Sequence, residues 1–184
     1  GVIREGKNPP DMRVPLTPKQ CVEVQRNLPD LDLSVQKSPV RAFKDHNYSD
    51  LGVAVKDEVS DADVLIGVKE VPLDMLVEDK TYFFFSHTTK EQPYNRTLLQ
   101  TLLKKRIRMI DYEGLTNTNG MRIIGFGYYA GIVGAYNGIK AWGKRHKSFD
   151  LCSALELHSI EEMGKELQKA KLPNIKIALT GAGR

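Results

Sequence analysis

Residues 64–68 (VLIGV) and 81–85 (TYFFF) are apolar runs of strand length, and neither ends in a turn. The first closes on Lys69 and Glu70; the second, after Ser86, closes on His87. A continuous apolar run of this length suits a strand buried on both faces, which is the condition of a parallel sheet with helices on either side. Such a sheet presents to ligand the residues just beyond the carboxyl ends of its strands. A lysine and a histidine brought together there form a candidate acid–base pair. Imidazole titrates near neutrality unaided, and an ammonium desolvated near another cation is drawn down toward the working range. The residues alone leave equally open a solvated strand end for Lys69 and a neighbour of a helix cap for His87.

The remaining elements fit the same architecture. Residues 1–4 read as a strand, followed by a loop over 5–17 whose glycine, prolines and charges fix its path. Thr17 and Pro18 give an N-cap and a first-turn proline, and the helix over 18–27 sets Cys21, Val24 and Leu28 on one face. Arg4, Lys7 and Arg13 are cations on that loop, suited either to anion binding or to plain solvation. Strands are expected over 31–36, 52–55 and 107–110, a short helix over 41–47, and a helical turn over 72–77. The helix over 91–105 is expected to bury Leu98, Leu99, Leu102 and Leu103. The strand over 107–110 runs into Asp111 and Glu113, a third strand end carrying ionisable groups. Residues 121–127 read as a strand or as the entry to a helix over 128–144, rich in Ala130, Gly131, Gly134, Ala135, Gly138 and Ala141, which is expected to pack closely on another backbone. Ser159, with Glu162 three residues on, caps a last helix over 159–171.

At 184 residues, 41% apolar and 27% charged, the chain is ordinary for a globular protein, and no apolar run approaches the ~20 residues that span a bilayer. Cys21 and Cys152 match no metal or redox spacing, which fits a reducing, cytoplasmic setting. The formal charge of +4 is modest. The basic clusters at Lys104, Lys105, Arg106 and Arg108 and at Lys144, Arg145, His146 and Lys147 lack interleaved aromatic residues, so they read as solvated faces and not as a nucleic-acid footprint. The expected partner is a small molecule, with neither nucleic acid nor membrane, and a homo-oligomer is compatible with the sequence.

The chain begins without Met on Gly-Val-Ile and stops on an apolar run, residues 175–180, followed by Gly181-Ala-Gly183. An apolar strand running into Gly-x-Gly is how a dinucleotide-binding βαβ unit opens, its glycines bringing backbone close to a pyrophosphate. The expectation is an N-terminal piece of a longer protein: a substrate domain over 1–127, inter-domain helices over 128–172, and over 173–184 the first strand and start of the glycine-rich loop of a dinucleotide-binding domain. Gly181 and Gly183 are then the cofactor-binding candidates within the chain. Alone, the piece would bind a nicotinamide cofactor poorly and turn over nothing.

Six motifs, in order, carry a resemblance: Arg4-Glu-x-Lys7, Arg13-Val-Pro-Leu-Thr-Pro18, Gly67-Val-Lys-Glu-Val-Pro72, Phe85-Ser-His-Thr-x-Lys90, Ile110-Asp-Tyr-Glu113 and Phe126-Gly-Tyr-Tyr-Ala-Gly131. The chain resembles the N-terminal half of the alanine dehydrogenase and transhydrogenase superfamily, and within it is most similar to lysine-forming saccharopine dehydrogenase and lysine–ketoglutarate reductase. The resemblance implies an α/β fold, a Rossmann-like (flavodoxin-like) parallel sheet with helices on both faces, serving as the substrate domain of a two-domain dehydrogenase that uses NAD or NADP. It places the catalytic lysine and histidine on Lys69 and His87. It also places acids that tune them on Glu70 and Glu113, and carboxylate-holding arginines on Arg13 and Arg122. The planar guanidinium fork matches a carboxylate bidentately. The implied reaction interconverts saccharopine with lysine and 2-oxoglutarate. Reductive amination of pyruvate, a transhydrogenase part, and an amino-acid-binding module without turnover remain alternatives.

Overall fold

In the computed structural model, which describes residues 1–180, the sheet is assembled around the short segment at Val2. On one side Val2 N–H donates to the Ser34 carbonyl at 2.8 Å and Gln36 N–H returns to the Val2 carbonyl at 2.8 Å. On the other, Ile66 N–H donates to the Gly1 carbonyl at 2.8 Å and Ile3 N–H to the Ile66 carbonyl at 3.0 Å. Val2 thereby joins two parallel ladders. One pairs β1 (Ser34–Gln36) with β2 (Ala54–Lys56). The other sets β4 (Thr81–Phe84) between β3 (Val64–Ile66) and β5 (Arg108–Asp111). The sheet reads β2, β1, the Val2 segment, β3, β4, β5. Counted from the Val2 segment as the first strand, that is the order 3-2-1-4-5-6 of a doubly wound Rossmann sheet and not the 2-1-3-4-5 of a flavodoxin-like one, and the chain reverses its direction of winding between the Val2 segment and the strand β3.

The two faces are covered separately, as the uninterrupted apolar runs require. Along β4, Tyr82 and Phe84 enter a core with Leu65, Val71, Leu98 and Leu102, while Phe83 and Phe85 turn to the other face with Val68 and Tyr112. Beyond Val2, Val35, Cys21, Tyr48 and Val53 form a third cluster. Helix α1 (Pro18–Asn27) starts as its sequence demands: Gln20 N–H donates to the Thr17 hydroxyl, the Gln20 side chain accepts from Thr17 N–H, and Pro18 sits in the first turn. Leu28, expected on its buried face, is exposed at the C-cap. The short α2 (Asp45–Ser49) lies a few residues later than expected.

Helix α3 (Arg96–Lys104) begins five residues later than its apolar pattern suggests, because Glu91 is left-handed (φ 51°) and Pro93–Asn95 form a 3-10 turn. Only Leu98 and Leu102 are buried; Leu99 and Leu103 are exposed, Leu103 at 72%. A helix covering one face of a sheet buries a single i, i+4 line, and the flanking leucines fall outside it.

Contacts divide the chain into two units, Gly1–Ile124 and Gly125–Arg184. The second is built on α4 (Gly127–His146) and α5 (Ile160–Leu167), with Tyr136, Leu151 and Met163 as its core. Within this unit no backbone among the described residues packs on the glycines of the α4 stripe. A Cβ at Gly131, Gly134 or Gly138 would touch nothing, and only Gly143 is pressed, against Phe149. Ser159 caps α5 through its hydroxyl, while the Glu162 carboxylate reaches one residue further back, accepting from His158 N–H at 2.8 Å. Residues 175–180 form no strand ladder, since no neighbouring strand is offered to them among the described residues. Gly181 and Gly183 lie outside the described residues.

Candidate acid–base site

Because β3, β4 and β5 are adjacent and parallel, their carboxyl ends share one edge, and the ionisable residues that follow each strand meet there. Lys69 Nζ lies 3.4 Å from His87 Nε2. The other ring nitrogen, Nδ1, lies 3.3 Å from Glu113 Oε2. A carboxylate at Nδ1 favours the tautomer with its proton there, leaving the Nε2 lone pair toward the Lys69 ammonium. The chain Lys69, His87, Glu113 can therefore hold a proton at either Lys69 Nζ or His87 Nε2, with Glu113 steadying the imidazolium when it forms.

Each carboxylate around the pair has its own cation. Lys7 Nζ bonds Glu70 Oε2 at 2.7 Å, and Lys90 Nζ and Arg122 Nη1 reach Glu113 Oε1 at 3.1 and 3.3 Å. Burial opposes ionisation of both acids, but the Lys7 hydrogen bond at Glu70, and those of Lys90 and His87 at Glu113, outweigh it and hold both carboxyls below the ordinary glutamate value of 4.5. Glu70 Oε1, 3.8 Å from His87 Nε2, is buried with no hydrogen-bond partner among the described residues. An acceptor left unpaired next to a histidine is costly unless something fills it during function. A cavity of 280 Å³, lined by Lys7, Asn8, Pro72, Tyr94 and Leu98, opens beside Glu70.

His87 is itself held in a demanding backbone conformation, φ 54° and ψ 14°. For a residue other than glycine that costs on the order of 1–3 kcal/mol and persists only if the surroundings impose it. Asp111 supplies the constraint. Its Oδ2 accepts from Ser86 N–H and from the Ser86 hydroxyl, its Oδ1 accepts from Glu113 N–H at 2.8 Å, and Thr88 N–H donates to Ser86 Oγ at 3.1 Å. One carboxylate thus ties together the two segments that carry His87 and Glu113. Phe85 packs under the ring of His87 with centroids 6.4 Å apart.

The structure brings Lys69, His87, Glu70, Glu113 and Arg122 into one contact chain. Arg122 belongs to it through Glu113, from a short antiparallel bridge between Thr116 and Arg122. Arg13 pairs with Asp11. Its guanidinium is clamped by Asp11, with Nε 2.9 Å from Oδ1. The hydrogen bond from Arg13 lowers the Asp11 pKa, and the charge of Lys69 is felt at Asp11 as well. Lys90 and Asp11 were not among the residues expected here from the sequence, Asp111 was expected at this edge only as a strand-end carboxylate, and Lys7 was read as a loop cation suited to anion binding or to solvation, not as the partner of Glu70. The signal for Lys90 was its spacing of three from His87; nothing local marks Lys7, which is 63 residues from Glu70.

A doubly wound parallel sheet that gathers lysine, histidine and paired carboxylates at the ends of three neighbouring strands defines an α/β domain with ionisable groups clustered at one sheet edge. Residues 1–133 match the family described as alanine dehydrogenase/PNT, N-terminal domain, and the chain belongs to that family. It is 34% identical over 149 residues to the alpha-aminoadipic semialdehyde synthase of Arabidopsis thaliana, covering 79% of this chain and 14% of that protein. It is 39% identical over 142 residues to the mitochondrial alpha-aminoadipic semialdehyde synthase of Bos taurus, covering 77% and 15%. To the saccharopine dehydrogenase [NAD(+), L-lysine-forming] of Yarrowia lipolytica it is 30% identical over 147 residues, covering 76% and 39%. The chain thus spans a small part of the synthases and about two-fifths of the dehydrogenase.

Proposed function

We propose that this chain is the substrate side of a nicotinamide-dependent oxidoreductase of the saccharopine type, interconverting saccharopine with lysine and 2-oxoglutarate. The single observation that carries the reading is the Lys69–His87–Glu113 proton chain at the edge of a family-typical sheet. A nicotinamide cofactor, NAD or NADP, when bound, takes up or gives the hydride. Its expected contacts in this chain, Gly181 and Gly183, lie outside the described residues, and residues 173–184 are proposed as the opening of its domain after a substrate domain over 1–127 and connecting helices over 128–172.

The chain's own residues have two tasks. The first is proton management: hydride leaves a carbon next to nitrogen only when that nitrogen is neutral, so Lys69 has to enter this step as the neutral amine, from which state it accepts the proton of the secondary amine. Water that then attacks the resulting imine must lose a proton, which His87 Nε2 takes, and the leaving amine regains one from the Lys69 ammonium formed in the first step. The second task is to hold carboxylates. Arg122 and Arg13 are proposed to turn from Glu113 and Asp11 toward the substrate's carboxylates, an exchange of like partners that costs little charge stabilisation. The unpaired Cys21 and Cys152 suit a reducing compartment, and a cytoplasmic setting is part of the proposal. Among the described residues no helix is long and apolar enough to cross a membrane.

The test is oxidation of NADH or NADPH by the full-length protein with lysine plus 2-oxoglutarate, set against pyruvate plus ammonia. Turnover with the first pair alone supports the proposal. Turnover with pyruvate and ammonia moves the protein to alanine dehydrogenase. Binding of lysine or 2-oxoglutarate without turnover under either condition leaves an amino-acid-binding module.

A further inference from the structure

The Val2 segment and β3 are joined by backbone hydrogen bonds as far as Ile3, and then they part. Ile66 N–H bonds the Gly1 carbonyl, and the ladder would next take Val68 N–H to the Ile3 carbonyl, but among the described residues that backbone bond is not made. Glu5 fills the gap with its side chain. Oε1 accepts from Val68 N–H at 2.7 Å and Oε2 from Lys69 N–H at 2.9 Å. The Val68 carbonyl, in the same peptide unit as Lys69 N–H, accepts from Phe85 N–H at 3.0 Å. The peptide plane from which the Lys69 side chain starts is therefore pinned at both ends, by Glu5 on one side and by the strand that leads to His87 on the other. The approach depends on Gly67: a Cβ there would stand 2.9 Å from Ile3 Cδ1 and 3.4 Å from Glu5 Oε1. Burial pushes the Glu5 carboxyl up, and the two amide bonds hold it down. A buried acid keeps such a position only if the amides it serves are worth its desolvation.

We propose that Glu5 is a positioning residue that fixes the backbone of Lys69 and so sets the distance between Lys69 Nζ and His87 Nε2. The proposal rests on the reading of Lys69 and His87 as the acid–base pair. Glutamine cannot replace it, because one side-chain oxygen serves one amide while its NH2 group faces the other donor. Aspartate is a methylene short.

The test compares full-length wild type with Glu5→Gln and Glu5→Asp by hydrogen–deuterium exchange, by kinetics, and by labelling of Lys69 with trinitrobenzenesulfonate. The expected result is faster exchange confined to the peptide holding Val68 and Lys69, a changed Lys69 labelling rate, and kcat lower by about 10- to 100-fold with KM within about threefold, the size expected of a misplaced catalytic group. Unchanged exchange at Val68 and Lys69 would overturn the clamp. Faster exchange with unchanged kcat and labelling, or exchange raised across the whole domain with kcat and KM both altered, would overturn positioning. If wild type turns over no substrate, the oxidoreductase reading fails, and the exchange and labelling results still decide whether Glu5 sets the position of Lys69.

Discussion

Two polar clusters lie beyond the carboxyl ends of this one sheet, and they are built in opposite ways. After β1, Arg41 is buried at 4% exposure, and each of its three guanidinium nitrogens has an acceptor. It donates to the Gln36 carbonyl at 2.7 Å, to the Phe43 carbonyl at 2.8 Å and to Asp45, and its guanidinium lies 4.5 Å over the Tyr48 ring. After β3, β4 and β5, the contacts of His87 are 3.3 to 3.8 Å, Glu70 Oε1 has no hydrogen-bond partner among the described residues, and His87 is held in a left-handed conformation. Closed, short and saturated bonding is what stability selects. Loose, underfilled bonding at a strained backbone is what a site that must receive a ligand retains. Charge alone does not separate the two clusters; the degree of satisfaction does.

The largest expected contrast is between the clusters themselves. Lys69→Met or His87→Gln in the full-length protein is expected to lower kcat by about 10²- to 10⁴-fold, the usual range for losing a general acid or base, with the melting temperature nearly unchanged. Arg41→Ala should do the reverse: stability falls by about 2–4 kcal/mol, because the buried Gln36 carbonyl, the partly buried Phe43 carbonyl and Asp45 lose their donor, while kcat of the folded fraction holds. Steady-state kinetics and thermal melts on the same preparations check both. If Arg41→Ala removes turnover without loss of stability, the division drawn between the clusters fails.

Acid provides a second contrast. Glu70 and Glu113 have pKa values held below the ordinary 4.5, so their contribution to stability is present above that value and is lost as pH falls through their lowered values. Glu5 is shifted the other way, so its ionisation weakens the fold as pH rises through its raised value. The double variant Glu70→Gln, Glu113→Gln is therefore expected to show a shallower loss of stability below pH 4.5 than wild type in urea melts. An identical acid slope would show that the lysine contacts do not act in solution.

Much of the sheet was legible because the apolar runs were uninterrupted and each strand end carried its ionisable residues next to it. Lys69, Glu70, His87 and Glu113 were readable for that reason, as was the start of α1 at Thr17 and Pro18. What was not legible is what depends on register across the fold. Leu99 and Leu103 share the composition of Leu98 and Leu102 but not their orientation. Lys7 meets Glu70 across 63 residues. Glu5 and Asp111 act through backbone amides, which leave no pattern in side-chain chemistry. The backbone that the α4 glycines were expected to meet is not found within their own unit, where most of them border open space among the described residues.

The smallest expected effect is at Arg122, whose side chain is half exposed and whose ion pair with Glu113 is 3.3 Å long. Arg122→Ala should change stability by less than about 1 kcal/mol. If it takes a substrate carboxylate, the loss appears as a raised KM for 2-oxoglutarate at nearly constant kcat; an unchanged KM would make it a structural residue.

The most direct test of the central claim is the pH dependence of kcat/KM for saccharopine, measured on full-length wild type and on Lys69→Met. The pair at the strand ends predicts that wild type depends on two ionisations and that the variant, besides being slower, loses one limb of the profile. A variant with the same profile and the same rate would show that Lys69 does not carry the proton, and the paired acid–base reading would fail.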